Sequence, residues 1–303
     1  MSAPTPEALG SAGIERRRRG FWRLILGADR RILVSGAVIV GLGLATLLAD
    51  PLGGYPPNKI ALGRPFTSPT AKHWFGLDYA GRDVLSRLLH GGRVTLAISV
   101  ISIFLAAAGG LVAGVASGYL GGVMDTVCMR LADVILCFPP ILLAMALVAF
   151  VGTNVVFLTL VIAVVYAPRF ARVVYASVLT VRELSYVEAS RAMGAATVRI
   201  LRRQIIPNIM GPVFVQVSLG IGHAILLETG LSFVGLGPPP PAASWGRMVD
   251  EGRRHMEAQP LLLLWPSLLI AGAIIAFNLL GDGLRDLLDP KLRRSMRSGR
   301  ETA

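Results

Sequence analysis

The chain contains a series of apolar runs, each about long enough to cross a lipid bilayer, and these limit the folds it can adopt. We place six, at residues 32–49, 94–116, 126–150, 153–170, 209–232 and 261–280. A bilayer crossing needs about 20 apolar helical residues. Inside lipid only helices and closed barrels satisfy every backbone polar group. We therefore predict an all-α, polytopic membrane protein with about six transmembrane helices.

The basic residues predict how these spans are oriented. The 303-residue chain is 53% hydrophobic and carries a formal charge of +12. With a cytoplasmic N-terminus, 21 of the 30 Lys and Arg residues fall in cytoplasmic segments and 9 in two external segments, 50–93 and 233–260. This bias follows the positive-inside rule, so both termini are predicted to be cytoplasmic. Because orientation accounts for the positive charge, no nucleic-acid partner is predicted.

The spans divide the chain into four parts. Residues 1–31 form a cytoplasmic arm that contains either a short interfacial helix or a plain juxtamembrane linker. Residues 32–93 hold the first span, interpreted as a retained span, and an external segment. A five-span core at 94–281 includes a cytoplasmic loop at 171–208, and a basic tail follows at 282–303.

The most strongly patterned stretch is LSYVEASRAMGAATVRILRRQIIPN, residues 184–208. One helical stripe comprises Tyr186, Ala189, Met193 and Ala196. Gly194 is a weak point near the end of that stripe, and Thr197 is a suitable N-cap for a second helical run. We predict two short helices with a bend between them.

Glycine and proline within the spans predict close packing and a kink. Gly109, Gly110 and Gly114 favour close approach of helices in lipid. Pro139-Pro140 predicts a kinked or broken third span, which neighbouring helices can tolerate.

The external segments also carry structural signals. Asp83 precedes VLSRLLHG, which predicts a short amphipathic helix before the second span. Pro238–Pro241 is predicted to be extended and stiff. This proline run is either a contact for a partner or a rigid spacer between spans.

Catalytic motifs are missing from the sequence. The three lysines, Lys59, Lys72 and Lys291, do not follow a glycine, so no Walker A phosphate loop is present. No GxSxG or HExxH motif and no metal-ligand spacing occurs. We predict neither catalytic nor metal-binding residues. If ATP drives this protein, a separate subunit must bind it.

Ionisable residues inside the spans are few. Arg130 and Asp133 are spaced to pair on one helix. His223 and Glu228 are candidates for a pathway or an external gate, because intramembrane ionisable residues are often functional. Hydrogen bonding between helices is the alternative for these two.

The loop resembles the EAA loop of prokaryotic ABC-importer permeases, which reads Glu-Ala-Ala, three residues, Gly, nine residues, and then a hydrophobic pair of positions closing on Leu-Pro. The matching positions here are Glu188, Ala189, Ser190, Gly194, Ile206 and Pro207. Three positions depart from the pattern: Ser190 stands for the second Ala, Gln204 for Ile or His, and Ile206 for Leu.

Longer stretches are similar to the C-type permeases of dipeptide, oligopeptide, glutathione and nickel importers. They are HWFGLDYAGRDVLSRLLHGGRVTL, ETGLSFVGLGPPPPAASWG and AFNLLGDGLRDLLDPK. The resemblance covers roughly residues 20–295. It implies the ABC type I importer permease fold in a prokaryotic plasma (inner) membrane.

The resemblance also implies a set of partners. These are a second, B-type permease, two ABC ATPase subunits that bind ATP and Mg, an external solute-binding protein, and membrane lipid. This chain itself would bind no cofactor. Its EAA loop would form a coupling helix that contacts one ATPase through Tyr186, Glu188, Ala189, Ser190, Arg191, Met193 and Gly194.

The sequence constrains the identity of the transported solute less than it constrains the fold. Family frequency favours di- or oligopeptides, while glutathione and nickel complexes stay open. A secondary transporter would instead require midplane charges and internal repeats. A membrane scaffold would not need a glycine-rich, kinked bundle around a patterned loop.

Overall fold

The computed structural model of the protein describes residues 30–288. Within this range the chain forms helices and one isolated β-bridge, with no strand. The predicted interfacial helix and most of the basic tail lie outside the described residues. In chain order the helices are α1 (Arg30–Leu47), α2 (Ala49–Gly53), α3 (Val84–Leu120), α4 (Gly122–Leu136), α5 (Pro140–Val151), α6 (Val155–Arg182), α7 (Ser185–Ala192), α8 (Thr197–Ile200), α9 (Ile206–Phe233), α10 (Trp245–Arg254) and α11 (Leu261–Leu288), with a π-helical turn at Leu201–Ile205 between α8 and α9.

The long helices confirm the predicted all-α membrane fold. Five helical segments are long and apolar enough to cross a bilayer, and the bent pair α4–α5 makes up to six. The bend is 96° and lies at Pro139-Pro140. Each proline disfavours helical geometry in the residue before it and cannot donate a backbone hydrogen bond. The predicted break in the third span is therefore confirmed.

Helices α3 and α6 pack closely along a row of glycines on α3. A Cβ added at Gly114 would lie 2.7 Å from the Ala171 carbonyl oxygen and the Val174 Cβ, and one at Gly118 would lie 2.9 Å from the Val178 Cβ. Gly110 meets Phe170 in the same way. These contacts leave no room for side chains, which is how small residues bring membrane helices together. Gly109 faces open space instead, so the prediction of close packing is wrong for that residue.

Two helices are longer than predicted. The amphipathic segment after Asp83 is not a separate helix, because α3 continues from Val84 through the second span. The Asp83 side chain caps its start by accepting a hydrogen bond from the Ser86 backbone N–H at 2.9 Å. Gly92 would interrupt a free helix, but here the Trp245 ring packs where its side chain would be. Likewise α6 runs to Arg182, beyond the predicted end at residue 170.

The segments 54–83 and 234–260 pack together at one end of the bundle, and we call them the cap. Glu251 joins the two segments by accepting a hydrogen bond from Arg82 at 3.4 Å, and it also accepts one from Arg87 at the start of α3 at 2.8 Å. The fully buried Trp245 donates its indole N–H to the Leu88 carbonyl at 2.8 Å. Since α3 begins at the cap and runs the length of the bundle, the cap and the 183–205 segment lie at opposite ends.

The proline run in the cap is not extended. The Ala242 N–H donates to the Pro239 carbonyl oxygen at 3.2 Å and closes a turn. The prediction of a stiff, extended Pro238–Pro241 is therefore wrong. The run has to reverse direction because α10 packs back onto the ends of α9 and α3, with Gly246 against Thr229 and Gly91 against Ser244.

Candidate functional site

The segment between α6 and α9, residues 183–205, projects from the bundle end opposite the cap, and we call it the basic loop. Its helix α7 is anchored to the bundle by one of its own residues, Val187, whose side chain is fully buried. Val187 belongs to an apolar cluster that joins α3, α6, the basic loop and α9: Val115, Val174, Val178, Val187, Ile200, Ile205, Ile209 and Val213. Burying one such side chain stabilises a contact by about 1.5–3 kcal/mol. The loop is therefore attached to the ends of three long helices.

Gly194 ends α7 in a left-handed turn. Its φ is +74°, a conformation that side-chain-bearing residues rarely adopt. The Ala195 N–H donates to the Ser190 carbonyl at 3.0 Å, and the Gly194 N–H donates to the Arg191 carbonyl at 3.0 Å. These two bonds make the Schellman C-cap. The bend predicted at Gly194 is confirmed, and the backbone geometry explains why glycine stands there.

Two residues that depart from the EAA pattern contact each other. The Gln204 side-chain amide donates to the Ser190 hydroxyl at 2.6 Å, and that hydroxyl donates to the Tyr186 carbonyl at 2.9 Å. Asn208, one turn after Gln204, donates to the Tyr186 hydroxyl at 3.1 Å. These bonds fasten α7 to the start of α9. Sequence reasoning missed this pairing because it treated the two departures as independent.

Substituting Ser190 and Gln204 together is expected to destabilise the basic loop less than substituting either residue alone. Ser190→Ala leaves the half-buried Gln204 amide without its partner, and such a loss costs about 1–3 kcal/mol. Restoring the apolar family residues with Ser190→Ala and Gln204→Ile removes both polar groups. A double-mutant cycle on loop stability, measured by hydrogen exchange of the α7 amides, should give a coupling of about 0.5–3 kcal/mol. Additive effects would show that the hydrogen bond contributes nothing.

The outer surface of the basic loop combines exposed apolar and cationic side chains. Tyr186 is 43% exposed and Met193 is 79% exposed. Leu184 and Val198 are also exposed, and so are the cations Arg191, Arg199, Arg202 and Arg203. Several large exposed apolar side chains within one short loop are typical of a protein–protein interface. The arrangement suits insertion of a short helix into a groove of a partner.

The structure modifies the predicted helical stripe. Tyr186 and Ala189 lie on α7, but Met193 is its C-cap and Ala196 precedes α8, so the four residues do not share one helix. All four are nevertheless exposed. The predicted N-cap at Thr197 is wrong, because the extended residue before α8 is Ala196 and no side-chain capping bond forms.

The candidate coupling residues are exposed on the basic loop, except for Ser190, which is half-buried beside Gln204. Glu188 and Ala189 are exposed on α7, and Glu188 lies in its first turn, where a carboxylate interacts favourably with the helix dipole. The Arg191 guanidinium lies over the Tyr119 ring at 5.3 Å, which links α7 to the end of α3. Their role in coupling stays a prediction.

His223 and Glu228 are not brought together. Both lie on α9, but five residues of helix turn their side chains to different faces. Glu228 is fully buried and accepts a hydrogen bond from the Ser232 hydroxyl at 2.7 Å. The His223 side chain is exposed, with Nδ1 2.8 Å from the Leu219 carbonyl. The geometry does not support one gate made by the two side chains.

Asp133 has a different partner from the one predicted. It pairs with Arg172 of α6, not with Arg130 of its own helix. The prediction of an Arg130–Asp133 pair is wrong because helix spacing alone does not show which neighbouring helix supplies a competing cation. The Arg172–Asp133 pair ties α4 to α6.

The cap contains an open cavity of about 470 Å³ beneath the proline turn. The charged face of α10 lines it with Arg247, Asp250, Glu251 and Arg254. Burial by itself raises the pKa of Asp250, but hydrogen bonds from Arg254 and Arg253 outweigh burial and leave that pKa below its ordinary value. Opposite charges on this face are thus largely paired. Within residues 30–288 no three His, Cys, Asp or Glu side chains are grouped as a metal site.

Comparisons with known proteins place this arrangement among transport proteins. Residues 110–294 match the family described as binding-protein-dependent transport system inner membrane component. The glutathione transport system permease protein GsiD of Pectobacterium atrosepticum is 39% identical over 277 residues, which cover 91% of each chain. A Brucella suis permease named for a peptide transport system is 40% identical over 250 residues, 82% of this chain and 84% of its own.

Two further matches extend this set. DdpC of Escherichia coli K12, a permease named for D,D-dipeptide transport, is 39% identical over 261 residues, 86% of this chain and 88% of its own. A chain of the MetNI methionine ABC transporter, in an inward-facing conformation, superposes with a TM-score of 0.55 at 18% identity. The superposition covers 67% of this chain and 96% of the MetNI chain, and it shows a similarity of fold.

Proposed function

This chain belongs to the family of binding-protein-dependent transport system inner membrane components, and we propose that it imports peptides into the cell with energy from separate ATPase subunits. The family and the permease fold agree with the resemblance found in the sequence. In the proposed assembly, the basic loop and both chain termini are cytoplasmic and the cap is external. The membrane is a prokaryotic plasma (inner) membrane.

One observation carries the proposal: an exposed helix of mixed polarity, α7, is anchored at the end of the bundle. Val187 packs α7 onto the cluster of α3, α6 and α9, and the Ser190–Gln204 bond fastens it to the start of α9. The residues of α7 on either side of Val187, including Tyr186 and Glu188, are exposed. A force applied to α7 by a partner would therefore reach α6 and α9 with little loss.

The energy source is proposed to be ATP, bound with Mg by two partner ATPase subunits. This chain lacks a Walker A motif. Closure of the ATPase pair would move α7 and, through its attachments, the spans α6 and α9. Such rigid-body movement of packed elements is an established means of switching between two states. A second, B-type permease would complete the pathway.

Glu188→Lys is expected to weaken ATPase binding and lower ATP-dependent uptake by about ten-fold, or about 1.4 kcal/mol. The exchange reverses a charge on the exposed surface of α7 and opposes the helix dipole in its first turn. Co-purification of the ATPase subunits and uptake into proteoliposomes measure the effect. Glu183→Lys is the matched control, since Glu183 is an exposed acid that precedes α7. Equal loss in both variants would contradict a specific contact.

Peptides are the proposed solutes because the relatives named above are associated with peptide, dipeptide and glutathione transport. Uptake of labelled tripeptide and glutathione, each with the cognate solute-binding protein, would separate these choices. Nickel complexes are tested in the same assay. Uptake that continued without ATP would favour a secondary transporter instead.

The cap is proposed to receive the solute-binding protein. Its proline turn exposes Pro239–Pro241 above the charged cavity. Replacing these three prolines by serine should loosen the turn and weaken stimulation by the binding protein about two- to ten-fold, with assembly preserved, because flexible loops lose entropy on binding. The binding-protein concentration for half-maximal ATPase activity measures this. An unchanged value would leave the turn as a spacer between spans.

A further inference from the structure

Three polar residues lie where α6 meets α9. The Tyr166 hydroxyl donates to the backbone carbonyl of His223 at 3.1 Å. The Arg169 guanidinium lies over the Tyr166 ring, 5.4 Å from its centroid. Tyr166 is buried and contacts both the Arg169 guanidinium and the backbone of His223. We call Arg169, Tyr166 and His223 the α6–α9 cluster.

Arg169, which the sequence-based topology counts as cytoplasmic at the end of the fourth span, lies inside the longer helix α6 and lacks a carboxylate partner within residues 30–288. It lies near the middle of the 28-residue helix α6, a candidate span, and is half-buried. Arg172, one turn later, has Asp133 as its counter-ion, whereas Arg169 has only the face of Tyr166. Charged side chains in membrane helices face a water-filled cavity or a partner because exposure to lipid is costly. Arg169 therefore requires water or an anion nearby.

His223 adds a second polar group that faces out of the protomer. Its Nδ1 lies 2.8 Å from the Leu219 carbonyl, so in the neutral ring Nδ1 carries the proton and Nε2 is left as an outward acceptor. Gln216 precedes it by seven residues and thus lies on the same face of α9, half-exposed. An imidazole and an amide on one stripe of an apolar helix are poorly suited to lipid. They suit an aqueous path.

We propose that Arg169, His223 and Gln216 line the water-filled solute pathway, and that Arg169 binds the carboxylate of the solute there. The guanidinium presents planar donors that match a carboxylate. The imidazole and the amide can hydrogen-bond the peptide groups of the same solute. The choice of solute rests on the proposed function, since peptides carry both a carboxylate and amide groups. These three residues would form a solute-binding site in the membrane part of the protein, away from the cap.

Thiol labelling tests the pathway and its charge without any solute. The assembled transporter, with Cys128→Ala and Cys137→Ala, carries His223→Cys and is treated with a membrane-impermeant anionic sulfonate reagent or a cationic ammonium reagent. We expect both to react, and the sulfonate to be favoured. Arg169→Gln should lower the sulfonate-to-ammonium rate ratio about five- to ten-fold, because a nearby cation concentrates anions. Ile225→Cys, a buried position on the same helix, should stay unreactive.

Two further variants distinguish charge from structure. Arg169→Lys keeps the cation and should preserve the ratio. The double change Arg172→Gln with Asp133→Asn removes a paired, neutral couple and should also preserve it. If His223→Cys is as unreactive as Ile225→Cys, the pathway assignment is overturned. If it reacts but Arg169→Gln leaves the ratio unchanged, anion binding at Arg169 is overturned.

Uptake assays then test the proposed Arg169 binding site and the proposed import of peptides separately. Wild-type proteoliposomes are compared for uptake of tri-alanine and its C-terminal amide. We expect the wild type to prefer the peptide with the free carboxylate. Arg169→Gln should reduce this preference about five-fold or more, because a charge-assisted hydrogen bond is lost. An unaltered preference overturns the Arg169 binding site while peptide import stands. Uptake of neither compound refutes peptide import, and the labelling ratio still decides whether Arg169 attracts anions.

Discussion

Gly194→Val is expected to uncouple ATP hydrolysis from uptake while the membrane bundle stays folded. Gly194 has a φ of +74°, where a residue with a Cβ is strained by about 1–2 kcal/mol and a β-branched one by more. The strain would undo the C-cap and let α7 turn so that its Val187 leaves the apolar cluster. A penalty of about 2 kcal/mol corresponds to roughly a thirty-fold loss of the competent loop conformation. When uptake into proteoliposomes and the ATPase rate are measured together, uptake should fall while ATP hydrolysis continues.

Asparagine at the same position provides the control for backbone geometry. No atom lies within 4 Å of where a Cβ at Gly194 would be, so side-chain volume is not the obstacle. Asn tolerates the left-handed region better than other side chains. Gly194→Asn should therefore keep most of the coupling. Equal loss in both variants would show that contact with the partner, and not the turn, requires glycine.

Gly114→Val is expected to prevent normal packing of α3 against α6. An added Cβ would lie 2.7 Å from the Ala171 carbonyl oxygen, and backbone cannot move aside as a side chain can. Overpacking of this kind costs about 1–3 kcal/mol, and more where the backbones must separate. The variant should purify in low yield and melt earlier in detergent. Since α6 leads into the basic loop, residual protein should also lose ATP-dependent uptake.

Gly109→Val is the matched control on the same helix. Nothing lies within 4 Å of a Cβ at Gly109, and the chemical change is identical. It should melt close to the wild-type temperature, because valine in a membrane helix facing open space meets no steric obstacle. If Gly109→Val and Gly114→Val shift melting equally, helix propensity and not interhelical packing is responsible.

Local sequence patterns were enough to predict the spans, the broken third span and the bend at Gly194. Apolar length selects membrane helices, consecutive prolines interrupt them, and glycine accommodates a positive φ. Patterns failed where a segment's neighbours decide its conformation. The proline run turns because α10 packs back onto the bundle, and α3 continues through Gly92 because Trp245 fills the space beside it.

The order of amino acids is enough to identify a helical membrane permease without a Walker A motif, in which an EAA-like loop connects two spans. The packing of the helices shows in addition that Gly114 meets a neighbouring helix where Gly109 does not, and that Ser190 bonds Gln204. It also decided that His223 faces outward while Glu228 is buried. Helix periodicity specifies which residues share a face, but the face that meets a neighbour is set by how all the helices pack.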